Sequence, residues 1–218
     1  MKQALAETLI QTAHAMQPAG LNKGTAGNVS VRDGDGFLIT PTGLSYDTLT
    51  ADDIPHLRLD GSQTAQHGRQ RKPSSEWRFH RDLYATRPEV GAVLHAHSPF
   101  AVSLACLRIE IPPFHYMIAR FGGDTIRCAD YAIFGSEALS TAALAAMQDR
   151  KACLLANHGL LVAGRDLSEA LALAIELEEL CEQYWRTCQL GQPVLLSAAE
   201  MAAVQDKFRH YGQQSSES

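Results

Sequence analysis

An α/β domain in three layers, with helices on both faces of a largely antiparallel central sheet, is the fold class this sequence predicts. Three observations carry that prediction. Helical segments alternate with short apolar runs that read as strands. Two of those runs flank Asp33-Gly34-Asp35-Gly36, whose turn chemistry joins antiparallel neighbours. The chain of 218 residues is 45% hydrophobic and 20% charged, which suits one core with a polar surface. No repeat, low-complexity block or linker divides it. Residues 1–213 are therefore expected to form a single domain and 214–218 a disordered tail.

The bulk properties exclude several classes. A formal net charge of −5 argues against a nucleic-acid surface. The one basic cluster, Arg69, Arg71 and Lys72, reads as a solvated loop. No run approaches the roughly 20 apolar residues of a membrane span, and the first residues lead into a polar helix, not a signal peptide. The five cysteines are odd in number and form no Cys-x-x-Cys pair, so a reducing cytoplasm is the expected home.

Along the chain, Leu5, Leu9, Ala13 and Met16 recur at helical spacing over residues 2–16, and Gly20 follows as a stop. Gly24-Thr25-Ala26-Gly27-Asn28 is a run of small residues that allows backbone to approach an anion, or simply a tight turn. Strands over 29–32 and 37–40 pair across the Asp-Gly turn, and Pro41-Thr42-Gly43 then offers a hydroxyl and a free amide. Asp52-Asp53 reads as a helix start and Asp60-Gly61-Ser62 as a hairpin turn, neither with assigned chemistry. Ser74-Ser75 opens a helix over 76–86, where unpaired amides and a partial positive charge suit phosphate; capping alone explains the serines equally well. Glu76 in that first turn reads by itself as a capping glutamate.

Pro88 stops the helix, and residues 91–97 form a buried strand ending in His95-Ala96-His97. Alternation puts His95 and His97 on one face, with Val93 beneath them. Alone the pair reads equally as two satisfied core histidines. Asn157-His158-Gly159 closes a second apolar strand, over 152–156, and with Glu76 completes a set of three imidazoles and a carboxylate suited to zinc. Between them lie a short helix over 99–107, a break at Pro112-Pro113, the segment Phe114-His115-Tyr116-Met117, and residues 131–135 as a strand entering a helix at Ser136. Residues 136–149, 168–189 and 198–211 are helical, and Glu176, Glu178, Glu179 and Glu182 read as a solvated acidic face.

Five segments, Gly24–Ser30, Thr40–Gly43, Pro73–Glu76, His95–His97 and Asn157–Gly159, occur in this order over most of the chain. Together they resemble the class II aldolase/adducin family, most closely the branch that cleaves L-fuculose 1-phosphate. The resemblance implies a catalytic domain that splits a ketose 1-phosphate reversibly into dihydroxyacetone phosphate and a short aldehyde. It implies one Zn²⁺ per chain, with Mn²⁺ or another divalent ion as the alternative, held by Glu76, His95, His97 and His158. Gly27, Asn28, Thr42, Gly43, Ser74 and Ser75 would grip the phosphate, Glu76 and Tyr116 would be catalytic, and Phe134, Phe208 and Tyr211 would wall the aldehyde end. A homotetramer is implied, with sites near subunit boundaries. Related readings are an aldolase for 5-deoxyribulose or methylthioribulose 1-phosphate, a family epimerase, dehydratase or decarboxylase, and a non-catalytic adducin-like binding module. Glu76, where epimerase relatives carry Asp, counts against the epimerase.

Overall fold

The computed structural model describes residues 2–64 and 71–210. Arg69 and the expected tail lie outside them. Seven strands, β1 (Asn28–Asp33), β2 (Gly36–Ile39), β3 (His56–Arg58), β4 (Ala92–Ala96), β5 (Cys128–Ala129), β6 (Ala152–Leu155) and β7 (Gly159–Gly164), form one sheet in the order β3-β2-β1-β4-β7-β6-β5. Every neighbouring pair is antiparallel except β5 and β6. The Asp-Gly turn behaves as its chemistry demands: Asp33 pairs with Gly36, and Gly34 takes a left-handed φ of 59°.

Six α-helices cover the faces: α1 (Lys2–Met16), α2 (Trp77–Thr86), α3 (Pro99–Leu107), α4 (Glu137–Ala146), α5 (Leu167–Leu190) and α6 (Ala198–His210). Val29, Val31, Leu94 and Val162 point to one side, where Leu9, Ala13 and Met16 of α1, Leu104 of α3, and Leu173 and Leu177 of α5 bury them. Phe37, Ile39, Val93 and Leu161 point to the other, against Phe79, Leu83 and Tyr84 of α2 and Leu139 and Ala143 of α4. Alternation along β4 assigns His95 to the α2 side, together with Val93.

Three sequence expectations need correction. Residues 131–135 are not a strand; the strand is earlier, at Cys128–Ala129, because its partner β6 ends at Leu155 and turns away. Beyond that point the ladder has nothing to pair with, and Tyr131, Ile133 and Phe134 are exposed. Arg71 is not simply solvated: its Nε donates to Asp53 Oδ1 at 2.8 Å, and that contact, with the Thr50 hydroxyl, lowers the Asp53 pKa.

The acidic face of α5 is the third. Glu179 and Glu182 accept hydrogen bonds from Gln183 and Arg186 of the same helix, but Glu176 binds Arg120 at 2.9 Å. Glu178 turns inward and accepts from Ser98 Oγ (2.6 Å), Phe100 N (2.8 Å) and Ala101 N (2.9 Å). A carboxylate from α5 thus caps α3, satisfying amides that the helix itself cannot and opposing its positive end. Ser98 follows His97 directly, so this cap also anchors the end of the histidine strand. Glu178→Ala should destabilise the fold by about 1–3 kcal/mol, read as a lower urea midpoint; an unchanged midpoint would mean water replaces the carboxylate without cost.

Candidate active site

The site is assembled at one end of β4. In register, His95 faces Asn28 of β1 and Leu161 of β7. His97 lies one residue past the strand, its backbone N–H donating to Asn22 Oδ1 at 3.3 Å. His158 comes from the turn between β6 and β7, where Asn157 holds a left-handed φ of 55°, a conformation asparagine tolerates. Gly159 then lies so close to β4 that an added Cβ would sit 2.3 Å from Ala96 O. Only glycine lets this turn close on the histidine strand.

The three rings meet edge to face, with centroids 4.7–4.9 Å apart. Their ligating nitrogens all lie within 4.8 Å of one another. The His95 Nδ1–H donates to Leu160 O at 2.8 Å, so its Nε2 carries the lone pair and aims it at the cluster. That Nε2 is 2.9 Å from His97 Nε2. Two lone pairs at this range repel unless a proton or a cation lies between them. Glu76 closes the set, Oε2 3.3 Å from His95 Nε2 and Oε1 3.4 Å from His158 Nε2. Oε1 is buried and finds no hydrogen-bond partner among the described residues. Burial first, then the neighbouring imidazoles, lowers the His95 pKa to about 3 and that of His158 to about 4; burial also lowers that of His97. Uncharged imidazoles with converging lone pairs beside a carboxylate oxygen fit a divalent cation.

Glu76 occupies the N-cap position of α2, yet its side chain makes no capping bond. The capping reading of this glutamate is therefore set aside. Its Oε2 instead accepts from Asn28 Nδ2 at 3.1 Å. The Asn28 Oδ1 receives the His80 Nε2–H at 2.5 Å, and Ser30 and Tyr84 continue behind His80. Ser30, His80 and Tyr84 were not singled out from sequence. A signal existed: Glu76, His80 and Tyr84 recur every four residues on α2, and Asn28 and Ser30 alternate onto one face of β1.

The small-residue segments also converge. Val29 N donates to Thr40 Oγ1 at 3.2 Å, and Pro41 bridges Pro73. Thr42 N donates to Lys72 O, which uses that amide within the fold. Gly27 has a φ of 78°, and a Cβ there would come within 2.7 Å of His95 O. Segments 28–29, 40–42 and 72–74 are thus tied to one another, and Asn28 links them to Glu76. Phe134 helps line a cavity of about 270 Å³, with Tyr131 and Ala132 across from Glu76, His97 and His158. Tyr116 is 49% exposed and stacks on Phe208 at 6.3 Å; both line a different hollow with Met117 and Arg120. Tyr211 lies outside the described residues.

Residues 7–185 match the family described as Class II Aldolase and Adducin N-terminal domain. The chain belongs to this family. It is 54% identical to a 5-methylthioribulose-1-phosphate/5-deoxyribulose-1-phosphate aldolase of Rhodospirillum rubrum, over 96% of this chain and 93% of that one. It is 46% identical to an L-fuculose phosphate aldolase of Escherichia coli K12, over 95% of each chain. Among solved structures an L-fuculose 1-phosphate aldolase superposes with a TM-score of 0.90 at 37% identity, over 94% of this chain and 96% of that one. The fold class and the lyase class read from the sequence both stand: this is an enzyme of the class II aldolase family, and its histidine cluster is a site able to bind a metal.

The imidazole shifts set a pH dependence for the metal-free aldolase. Unfolded histidines take up protons near pH 6.5, whereas His95 and His158 in the fold resist them down to about 3 and 4. Between these limits the unfolded chain binds more protons, so stability falls as pH falls, by up to about 1.4 kcal/mol per pH unit for each such group. Urea midpoints of chelated protein should drop steadily from about pH 6.5 toward 4; a flat profile would contradict the burial of these rings.

Proposed function

We propose that the protein cleaves ketose 1-phosphates between C3 and C4, giving dihydroxyacetone phosphate and a short aldehyde, in the cytoplasm. The observation that carries the reading is Glu76: a buried carboxylate with one oxygen lacking a hydrogen-bond partner among the described residues, facing three uncharged imidazoles and contacted by Asn28 and Ser74. His95, His97 and His158 would hold the metal with Glu76 as a further ligand; zinc suits three nitrogens and a carboxylate. A divalent metal held there supplies Lewis-acid polarisation of the substrate carbonyl and the adjacent hydroxyl.

The residues of the chain supply the rest. The phosphate rests on Gly27-Asn28, Thr42-Gly43 and Ser74-Ser75, where the start of α2 favours an anion. In the cleavage direction the Glu76 carboxylate takes up the proton that the C4 hydroxyl gives up, and the C3–C4 bond breaks. Its electron pair ends in a new C–H bond at C3, the carbon beside the carbonyl. Glu76 delivers that proton, and Tyr116 serves the oxygen that becomes the aldehyde. Within one chain Tyr116 does not share the cavity of Glu76. The reading therefore includes a homotetramer whose neighbouring subunit brings Tyr116 to the site, with Phe208 and Tyr211 near it. Light scattering of active enzyme tests the assembly, which a fully active monomer would exclude.

The aldehyde side favours an apolar terminus. Phe134, Tyr131 and Ala132 form that wall, and the Asn157 Oδ1 is already engaged by Arg108 Nε at 2.8 Å. A methyl or methylthio end fits such a wall better than a chain with a further hydroxyl, and the R. rubrum relative is named for both such substrates. Accordingly 5-deoxyribulose and 5-methylthioribulose 1-phosphates should exceed L-fuculose 1-phosphate in kcat/KM by about 10-fold or more. Coupled detection of dihydroxyacetone phosphate measures this; the reverse order would reassign the sugar, and no such product would remove the aldol reading.

Glu76→Gln keeps the shape of the side chain but cannot shuttle a proton. Turnover should fall by roughly 10²–10⁴-fold, with bound metal and KM little changed. His97→Ala should lose metal and activity together. Near-normal turnover of Glu76→Gln with metal bound would move the proton transfer to another group.

A further inference from the structure

Behind Glu76 runs a line of buried side chains of which the chemistry above uses only Asn28. From the site inward it passes Asn28, His80, Ser30 and Tyr84, with His80 and Ser30 fully buried. The links are Asn28 Nδ2 to Glu76 Oε2 (3.1 Å), His80 Nε2 to Asn28 Oδ1 (2.5 Å), Ser30 Oγ to His80 Nδ1 (2.7 Å) and Tyr84 Oη to Ser30 Oγ (2.7 Å).

Donor and acceptor chemistry allows this line one polarity. A carboxylate only accepts, so Asn28 turns its nitrogen to Glu76 and its oxygen to His80. An amide oxygen only accepts, so His80 carries its proton on Nε2. Its Nδ1 then accepts, Ser30 must donate to it, and the Tyr84 hydroxyl must donate to Ser30. The far end is rigid: the Tyr84 ring lies 5.2 Å from that of Phe37 and 4.9 Å from the Arg32 guanidinium. The near end is Glu76, whose two oxygens lie 3.3 Å from His95 Nε2 and 3.4 Å from His158 Nε2.

We infer that Asn28, His80, Ser30 and Tyr84 form a positioning relay that holds Glu76 Oε2 by hydrogen bonds of one polarity and so fixes how the carboxylate faces metal and substrate. The inference rests on the acid–base reading of Glu76 and adds to it the residues that orient that group. Simple burial of polar groups would not need such a line; four apolar residues would fill the same space without desolvation cost. Partners of this kind, one contact removed from a metal centre, fix the orientation and electronic character of the groups that touch it.

Ser30→Ala is the informative variant, because it removes one oxygen from the core. Without that donor the buried His80 Nδ1 has no partner and the ring is held from one side only. Asn28, and through it Glu76 Oε2, then loses its fixed support. Turnover should fall roughly 10–100-fold, while KM and bound metal stay close to those of the parent; the urea midpoint falls as well, because the buried His80 Nδ1 and Tyr84 Oη lose their partner. His80→Phe should lose turnover likewise, and His80→Gln, which still donates to Asn28, should recover most of it. Nitrogen-15 spectra of histidine-labelled, chelated protein give a readout without metal or turnover: His80 should be Nε2-protonated, and Ser30→Ala should shift its Nδ1 resonance, where the bond from Ser30 is lost. Parental kcat in Ser30→Ala, a loss of kcat matched by loss of metal, or an Nδ1-protonated His80 in the parent would each overturn the relay. A fully active Glu76→Gln would instead overturn the acid–base reading, and the nitrogen spectrum separates the two failures.

Discussion

β4 is hydrogen-bonded along both edges, to β1 on one side and β7 on the other, and the site depends on that double pairing. A strand held on two sides cannot slip by one residue without turning His95 to the opposite helical layer. The same register sets Asn28 across from His95 and brings the β6–β7 turn, with His158, alongside the end of β4. Three imidazoles and a carboxylate from distant parts of the chain thus meet through backbone pairing. Glycine at 27 and 159 is what permits such close approach, since a Cβ at either would strike the backbone of β4.

Burial then gives the cluster its chemistry. Withdrawing imidazoles from water disfavours their charged forms and leaves lone pairs for a cation. The same desolvation makes an unpartnered carboxylate oxygen costly, and Glu76 Oε1 is such an oxygen. The fold carries that cost at the one point where a ligand or a proton has use for it. Around it the structure is hydrogen-bonded and rigid: Leu160 orients His95, Asn22 holds the backbone of His97, and Glu178 anchors the segment that follows.

The helices contribute through their ends more than their faces. The start of α2 adds positive potential beside the small-residue segments, and its first turn carries Glu76 without using it as a cap. The start of α3 is capped instead by Glu178, a side chain 80 residues away in sequence. One helix start carries the carboxylate of the histidine cluster, and the other is closed by the fold.

The sequence alone determined the layered α/β class, the Asp-Gly hairpin, the helices and the metal-binding candidates. These rest on local chemistry: apolar periodicity, turn residues, and imidazole or carboxylate side chains next to strand ends. It could not tell whether Glu76 caps its helix, because a glutamate in a first turn looks the same whether its side chain bends back or reaches into a pocket. Nor could it tell that Glu178 faces inward, since a run of glutamates on a long helix reads as solvated until α3 is packed beside it. The extent of β5 was set by where its partner β6 stops, a property of another segment. Ser30, His80 and Tyr84 carried only periodicities shared with ordinary core positions. Only when β1 and α2 are packed together do those two periodicities fall into one line ending at Glu76, because hydrogen-bond polarity belongs to pairs of side chains and pairs are made by tertiary structure.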